Sequence, residues 1–249
     1  MADDPNPFEI AAAWRPQLPG KLAVKHVKDA LVEPEWVGAR VAAALTTDEA
    51  ALFREGDRIR VPSDLAAALI DAFNAVDAVV EGRLTTKALE DGAGVAPALP
   101  SVERPPILIP RVFRSGVKDD PFVRSRDREH RAATLEPRVI DAVERGERHA
   151  FVATDLLWLD GTPLDDVPLA ERKRLLDGVI IPSVLVRVTP YIKPSAKLTL
   201  VTWGQLGFEE LAYRAANSRY TAGAENPDYA MGMPPMGPQG PSRGPVSKR

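Results

Sequence analysis

The chain has 249 residues, with 32 Lys plus Arg against 35 Asp plus Glu and a formal net charge of −3. It holds no cysteine and only three histidines (His26, His130 and His149), which excludes disulfide frameworks, thiolate zinc sites and cysteine nucleophiles and argues against a histidine-built metal centre. An apolar share of 45% suffices for a core, the acidic start Met-Ala-Asp-Asp-Pro-Asn-Pro is no secretory signal, and no stretch approaches the roughly 18 apolar residues of a membrane helix. These features predict a cytoplasmic protein without membrane contact. The basic residues divide unevenly, into 23 Arg and 9 Lys.

Residues 1–20 read as an N-terminal arm with a short helix around Phe8 to Trp14. Val37 to Leu45, Ala51 to Arg54 and Arg58 to Val61 read as strands separated by turns at Thr46 to Glu49 and at Glu55-Gly56-Asp57. Ser63 is a candidate N-cap for a helix whose Leu65, Leu69, Ala72, Phe73 and Val76 share one face. A strand over Val79 to Leu84 follows. Gly92 to His130 is rich in proline and reads as a loop. Between Arg111 and Arg131 it carries seven basic and four acidic residues, a local positive excess that makes it a candidate DNA contact. A helix over Leu135 to Arg145 leads to a strand over Ala150 to Leu157. Asp166 can cap a helix with Pro168 in its first turn, and strands near Val184 to Val188 and Leu211 to Arg214 close the body. The body is thus expected over residues 21–223 and a disordered tail over 224–249. The last 19 residues hold four Gly, five Pro and three basic residues with no acid, too little apolar surface to offset ordering entropy. Helices and strands alternate without regular βαβ spacing, so the fold class expected is α+β, with mostly antiparallel sheets.

Several segments in one order resemble the adenylation domain of ATP-dependent DNA ligases. Ala153-Thr154-Asp155-Leu156-Leu157-Trp158-Leu159-Asp160-Gly161 followed by Pro168-Leu169-Ala170-Glu171-Arg172 is similar to that family's Phe-Asp-Leu-Leu-Tyr-Leu-Asp-Gly strand and Pro-Leu-x-Glu-Arg helix. Upstream, Glu33-Pro34-Glu35-Trp36-Val37-Gly38-Ala39-Arg40 stands where the family has Glu-Pro-Lys-Trp-Asp-Gly-x-Arg. Arg54-Glu55-Gly56 resembles Arg-Asn-Gly, and Glu81-Gly82-Arg83-Leu84 resembles Asp-Gly-Glu-Leu. Gly207 to Arg214 resembles Gly-x-Glu-Gly-Val-Val-x-Lys, and Asn217-Ser218-Arg219-Tyr220 its Asp-Ser-x-Tyr continuation. The resemblance implies a nucleotidyltransferase fold of two mostly antiparallel sheets flanked by helices, with no oligonucleotide-binding barrel in this chain. It also implies ATP and Mg²⁺ as cofactors and a setting in DNA repair, with DNA or a repair protein as partner.

The chemistry does not carry over intact. Adenylation in this family requires a lysine amine, nucleophilic when deprotonated, to attack the α-phosphate of ATP. Glu35 stands at that position, and a carboxylate there repels the triphosphate. Val37 replaces the neighbouring Asp, Thr154 the ring that stacks on adenine, and Arg83 the first of two metal-binding glutamates. Arg214 replaces the lysine after the second, keeping charge but not geometry. The positions that still match are Glu33, Arg40, Arg54 and Glu209, which in the family touch adenine, ribose, phosphate and metal respectively. Glu209 is the remaining candidate metal ligand. Each also has a plainer reading: the arginines as solvated strand residues, Glu209 as a turn cap. Arg83 is expected to pair with Glu35 or Glu209. The expectation is a catalytically inactive adenylation domain with weak or absent ATP and Mg²⁺ binding and residual contact with DNA, through Arg111 to Arg131 and the basic tail, or with a repair protein. The alternatives are a working ligase using a displaced lysine, with Lys25 and Lys28 nearest in sequence, and a non-catalytic interaction module.

Overall fold

The run Val41-Ala42-Ala43-Ala44-Leu45 is buried at every position, so the strand it forms is covered on both faces, and the rest of the fold is arranged around that strand. The computed structural model describes residues 6–90 and 121–235. Its elements run α1 (Pro7–Ala13), β1 (Leu18–Pro19), β2 (Ala30–Pro34), β3 (Ala39–Thr46), β4 (Ala50–Arg54), β5 (Asp57–Ile59), α2 (Ser63–Asp71) and β6 (Asp77–Thr85). Then come α3 (Pro121–Glu144), β7 (Ala150–Leu159), β8 (Thr162–Pro163), α4 (Leu169–Val179), β9 (Val186–Val188), α5 (Lys197–Gln205), β10 (Leu211–Ala215), β11 (Glu225–Asn226) and β12 (Tyr229–Gly232).

The large sheet has the order β5-β4-β3-β6-β7-β8, antiparallel throughout, with β9 added parallel to β7. A second sheet, β12-β10-β2, is also antiparallel. The short β1 and β11 pair in parallel. No sheet among the described residues closes into a barrel. The fold is therefore the α+β arrangement of two mostly antiparallel sheets with flanking helices.

Leu45, Leu52, Leu69, Val80, Phe151, Val143 and Leu176 form a core on one face of the large sheet, under α2, α3 and α4. Ala42, Ala44, Phe53 and Val79 face the other way, against Ala11 and Trp14 of the α1 segment. A third cluster joins the small sheet to α5 through Val32, Leu211, Tyr213, Leu200 and Trp203, with Trp36 and Phe208 edge to face at 5.0 Å. At roughly 25 cal/mol per Å² of apolar area removed from water, these three clusters supply most of the drive to fold.

Several boundaries differ from the sequence reading. Residues 121–130, expected as loop, are the first turns of α3; the rest of that proline-rich segment lies outside the described residues. The body does not stop at Gly223, because β12 supplies an edge strand whose Ala230 is buried beside Tyr213. The part of the expected tail beyond residue 235 lies outside the described residues. Ser63 is the first helical residue of α2 rather than its cap, since Pro62 takes the extended N-cap position. Val76 is exposed, because α2 ends at Asp71 and the chain turns back through Asn74 N donating to Val179 O. Asp166 does not cap α4 either. The Leu169 and Ala170 amides donate instead to the carbonyls of Ser218 and Ala216, so the chain after β10 satisfies them. The helix α5 went unanticipated.

Candidate functional site

Strand alternation along β2 and β10 turns Glu33, Ala212 and Arg214 toward the junction of the two sheets, where β3, β6 and β7 present Arg40, Glu81, Arg83 and Thr154. Glu35, Trp36, Gln17 and Tyr229 complete the lining. The Gly38 backbone makes this possible. A Cβ there would collide with the Leu84 carbonyl, so only glycine lets the turn after β2 lie against β6 and bring Glu35 to Arg83.

The cleft is occupied by its own charges. Arg83 forms an ion pair with Glu35. Arg214 holds both oxygens of Glu33 through Nη2, at 2.9 and 2.7 Å, and reaches Asp155 Oδ2 through Nη1 at 2.9 Å. Lys173 Nζ lies 2.8 Å from Glu33 Oε1 and donates to the Thr154 carbonyl. Arg172 makes a two-pronged bond to Asp155 at 2.8 and 2.9 Å. Glu33, Asp155, Arg172, Lys173 and Arg214 are all buried. Burial alone would raise the Asp155 pKa, but the guanidiniums of Arg172 and Arg214 overcome it and hold the carboxyl down at about 2. Burial lowers the Lys173 pKa against the pull of Glu33. Burial likewise raises Glu81, with the charge of Asp155 adding to it, while the Tyr220 hydroxyl donates to Glu81 at 2.7 Å and opposes the rise.

A second knot of charge lies at the rim. Glu136 on α3 accepts from Arg40 at 3.0 Å, Arg54 at 3.4 Å and Arg83 at 3.5 Å. The space left in the cleft is about 40 Å³, where small-molecule sites run to ~300–1,000 Å³. No cluster of three acid or histidine side chains among the described residues could hold a metal ion. A guanidinium at position 83 and a clamped Arg214 are a poor donor set for Mg²⁺, which takes oxygen ligands. The residues present therefore do not fit a bound Mg²⁺–ATP.

No protein-family model and no curated protein matches the sequence. Solved structures do. The chain is similar to the ligase domain of M. tuberculosis LigD, with a TM-score of 0.55 and 17% identity, covering 89% of this chain and 60% of that one. A structure of mycobacterial DNA ligase D complexed with ATP and MES gives a TM-score of 0.55 and 17% identity, covering 88% and 60%. The fold is that of a DNA-ligase adenylation domain. This chain spans about 60% of the length of those ligase structures.

Within the adenylation-domain fold the sequence-predicted residues separate. Glu33 and Arg40 line the cleft with Glu35, whereas Arg54 stands at the rim, tied to Glu136 and Glu55. Glu209 is exposed ahead of β10 and is not among the lining residues. The expected pairing of Arg83 is with Glu35. Lys25 and Lys28 are exposed and do not line the cleft. Sequence reasoning missed Glu136, Arg172 and Lys173 as site residues. For the last two a signal existed: Leu169, Leu176 and Val179 mark the buried stripe of α4, and residues 172 and 173 fall on it at i+3 and i+4.

Proposed function

We propose that this chain is a ligase-type adenylation scaffold that does not adenylate itself and serves as an interaction module for a phosphate-bearing partner, DNA above all. One observation carries the reading: the carboxylate of Glu35, at the nucleophile position, is engaged by Arg83, at a metal-ligand position. Both replacements oppose the same chemistry. A carboxylate repels the triphosphate and a guanidinium cannot bind a metal. The buried lattice of Glu33, Arg214, Asp155 and Lys173 supports the reading further. Opening it for a purine ring would break ion pairs whose loss, in buried settings, costs about 3–5 kcal/mol per partner removed. The positive excess of Arg111 to Arg131, of which 111–120 lie outside the described residues, makes DNA the first partner to test. Such binding should weaken steeply with salt.

The rival reading is a working ligase with a displaced lysine, and Lys173 is the residue that favours it. Its ammonium touches Glu33 and its pKa is depressed, as a nucleophilic amine requires. Yet its side chain has no exposure and does not line the cleft. Intact-mass measurement after incubation with ATP and Mg²⁺ separates the two. The proposal expects the unmodified mass; a single AMP adduct that disappears in Lys173→Met would establish the rival.

A further inference from the structure

Strand alternation gives the small sheet two faces. Glu33 and Arg214 point into the cleft, whereas Val32 and Tyr213 point to the other side, against Leu200 and Trp203 of α5. The single helical turn Val24–His26 packs on that outer side through Val24 and Val27, which leaves Lys25 and Lys28 in solvent. From there a line of charge continues. Lys193 Nζ bonds Asp29 at 2.6 Å, and a turn closed by Ala196 N donating to Lys193 O at 3.1 Å leads to Lys197, the first residue of α5. Lys25, Lys28 and Lys197 are exposed and make no ion pair among the described residues. Apolar groups stand among them. With Leu200 and Trp203 turned inward, Leu198 is on the crest of α5 and 80% exposed. Met233, 57% exposed, follows Gly232, which lies against Val24, and Leu22 is 48% exposed on the approach to the same turn.

We infer that this surface docks an acidic protein segment that bears apolar side chains between its carboxylates. Exposed apolar groups rimmed by charge mark protein or membrane contact sites. Lysine suits the first, because its ammonium meets a carboxylate at the end of a flexible stem that itself adds apolar contact. The two resident ion pairs, Lys193 with Asp29 and Lys21 with Glu225, are both exposed, and such pairs are exchanged for a partner's carboxylates at small cost. The same Asp29 and Glu225 weigh against a nucleic acid or an anionic lipid surface. A duplex presents a phosphate charge about every 1.7 Å of its axis and cannot step over carboxylates, whereas a peptide can set an apolar residue opposite them. Phosphate also gains nothing from a leucine on the crest of a helix. The surface lies across the small sheet from the cleft, so the inference stands apart from the reading of Glu35 and Arg83.

The test is fluorescence anisotropy of a labelled peptide of Asp-Glu-Leu-Phe repeats, titrated with the full-length protein at physiological salt. Comparison probes are the same peptide with Ser in place of Leu and Phe, a labelled DNA duplex, and phosphatidylserine vesicles read by cosedimentation. The apolar acidic peptide should bind saturably, and the variant with both Lys25→Glu and Lys28→Glu should bind it more weakly by about tenfold or more. Leu198→Ser should weaken the same peptide by about threefold and leave the serine peptide, itself the poorer ligand, unchanged. No binding of the apolar peptide, or binding that neither variant alters, overturns the proposal. Equal affinity for the serine peptide overturns it as well, because charge alone would then suffice. Tighter binding of the duplex or the vesicles, lost in the same lysine variant, assigns the surface to phosphate and also overturns it. The replaced side chains are exposed, so circular dichroism should match wild type; should the lysine variant not fold, Leu198→Ser decides by the same criterion.

Discussion

Asp155 sits at zero exposure between two arginines, and its chemistry can be followed through pH. Its folded pKa of about 2 lies below the ordinary carboxylate value near 3.9 of the unfolded chain. The folded protein therefore binds that proton more weakly. The stability this provides is complete above about pH 4 and is lost as pH falls toward 2. The shift corresponds to about 2–3 kcal/mol. Glu81, raised by burial, acts in the opposite direction and destabilises the fold as it ionises. Urea unfolding of wild type between pH 5 and pH 2 should lose stability more steeply than Asp155→Asn; parallel slopes would refute the assignment. At this scale the sequence exposed the lesion clearly, because Glu35 and Arg83 fall inside short motifs where one letter changes the chemistry. The charge reversal even predicts their pairing. Glu136 carries no such mark: it lies in an ordinary polar helical run, and only tertiary folding brings it to Arg40.

Elements show the same division between local and distant information. Strands β3, β4, β6 and β7 are legible because continuous or alternating apolar residues bounded by turns encode them directly. The N-terminal arm is less so. Its helix is short, with Asn6 accepting from the Phe8 amide and Pro7 in the first turn, and it is stable only against β3 and β6. Trp14 fixes the arm by packing on Phe53 and Val79 and by donating its indole N–H to the Tyr220 hydroxyl at 2.8 Å. That hydroxyl in turn donates to Glu81, so the arm and the cleft share one hydrogen-bond chain. Trp14→Ala should cost about 3–5 kcal/mol in chemical denaturation, well above the ~0.5 kcal/mol of a surface change. A loss no larger than that would mean the arm is not part of the core. The edge strand β12 escaped notice because its Tyr229-Ala230-Met231-Gly232 sequence adjoins a proline- and glycine-rich stretch; pairing with β10 and the burial of Ala230 override that composition.

For the molecule as a whole, the net charge of −3 conceals a sorted distribution. Arginines are concentrated where the two sheets meet, paired with carboxylates that some of them share, and among the described residues Lys173 is the lysine buried there, against Glu33. The scaffold is shared with DNA-ligase structures at 17% identity because the fold depends on apolar spacing and turn glycines. The cleft depends on a few charged side chains. By the motif resemblance of the sequence, Glu35 and Arg83 in that cleft are where the chemistry changes. The most direct test is a crystal structure grown with ATP and Mg²⁺. The predicted result keeps Arg214 bridging Glu33 and Asp155, with Arg83 on Glu35 and no purine between the sheets. A nucleotide seated there, with Arg214 displaced from Glu33, would contradict the account.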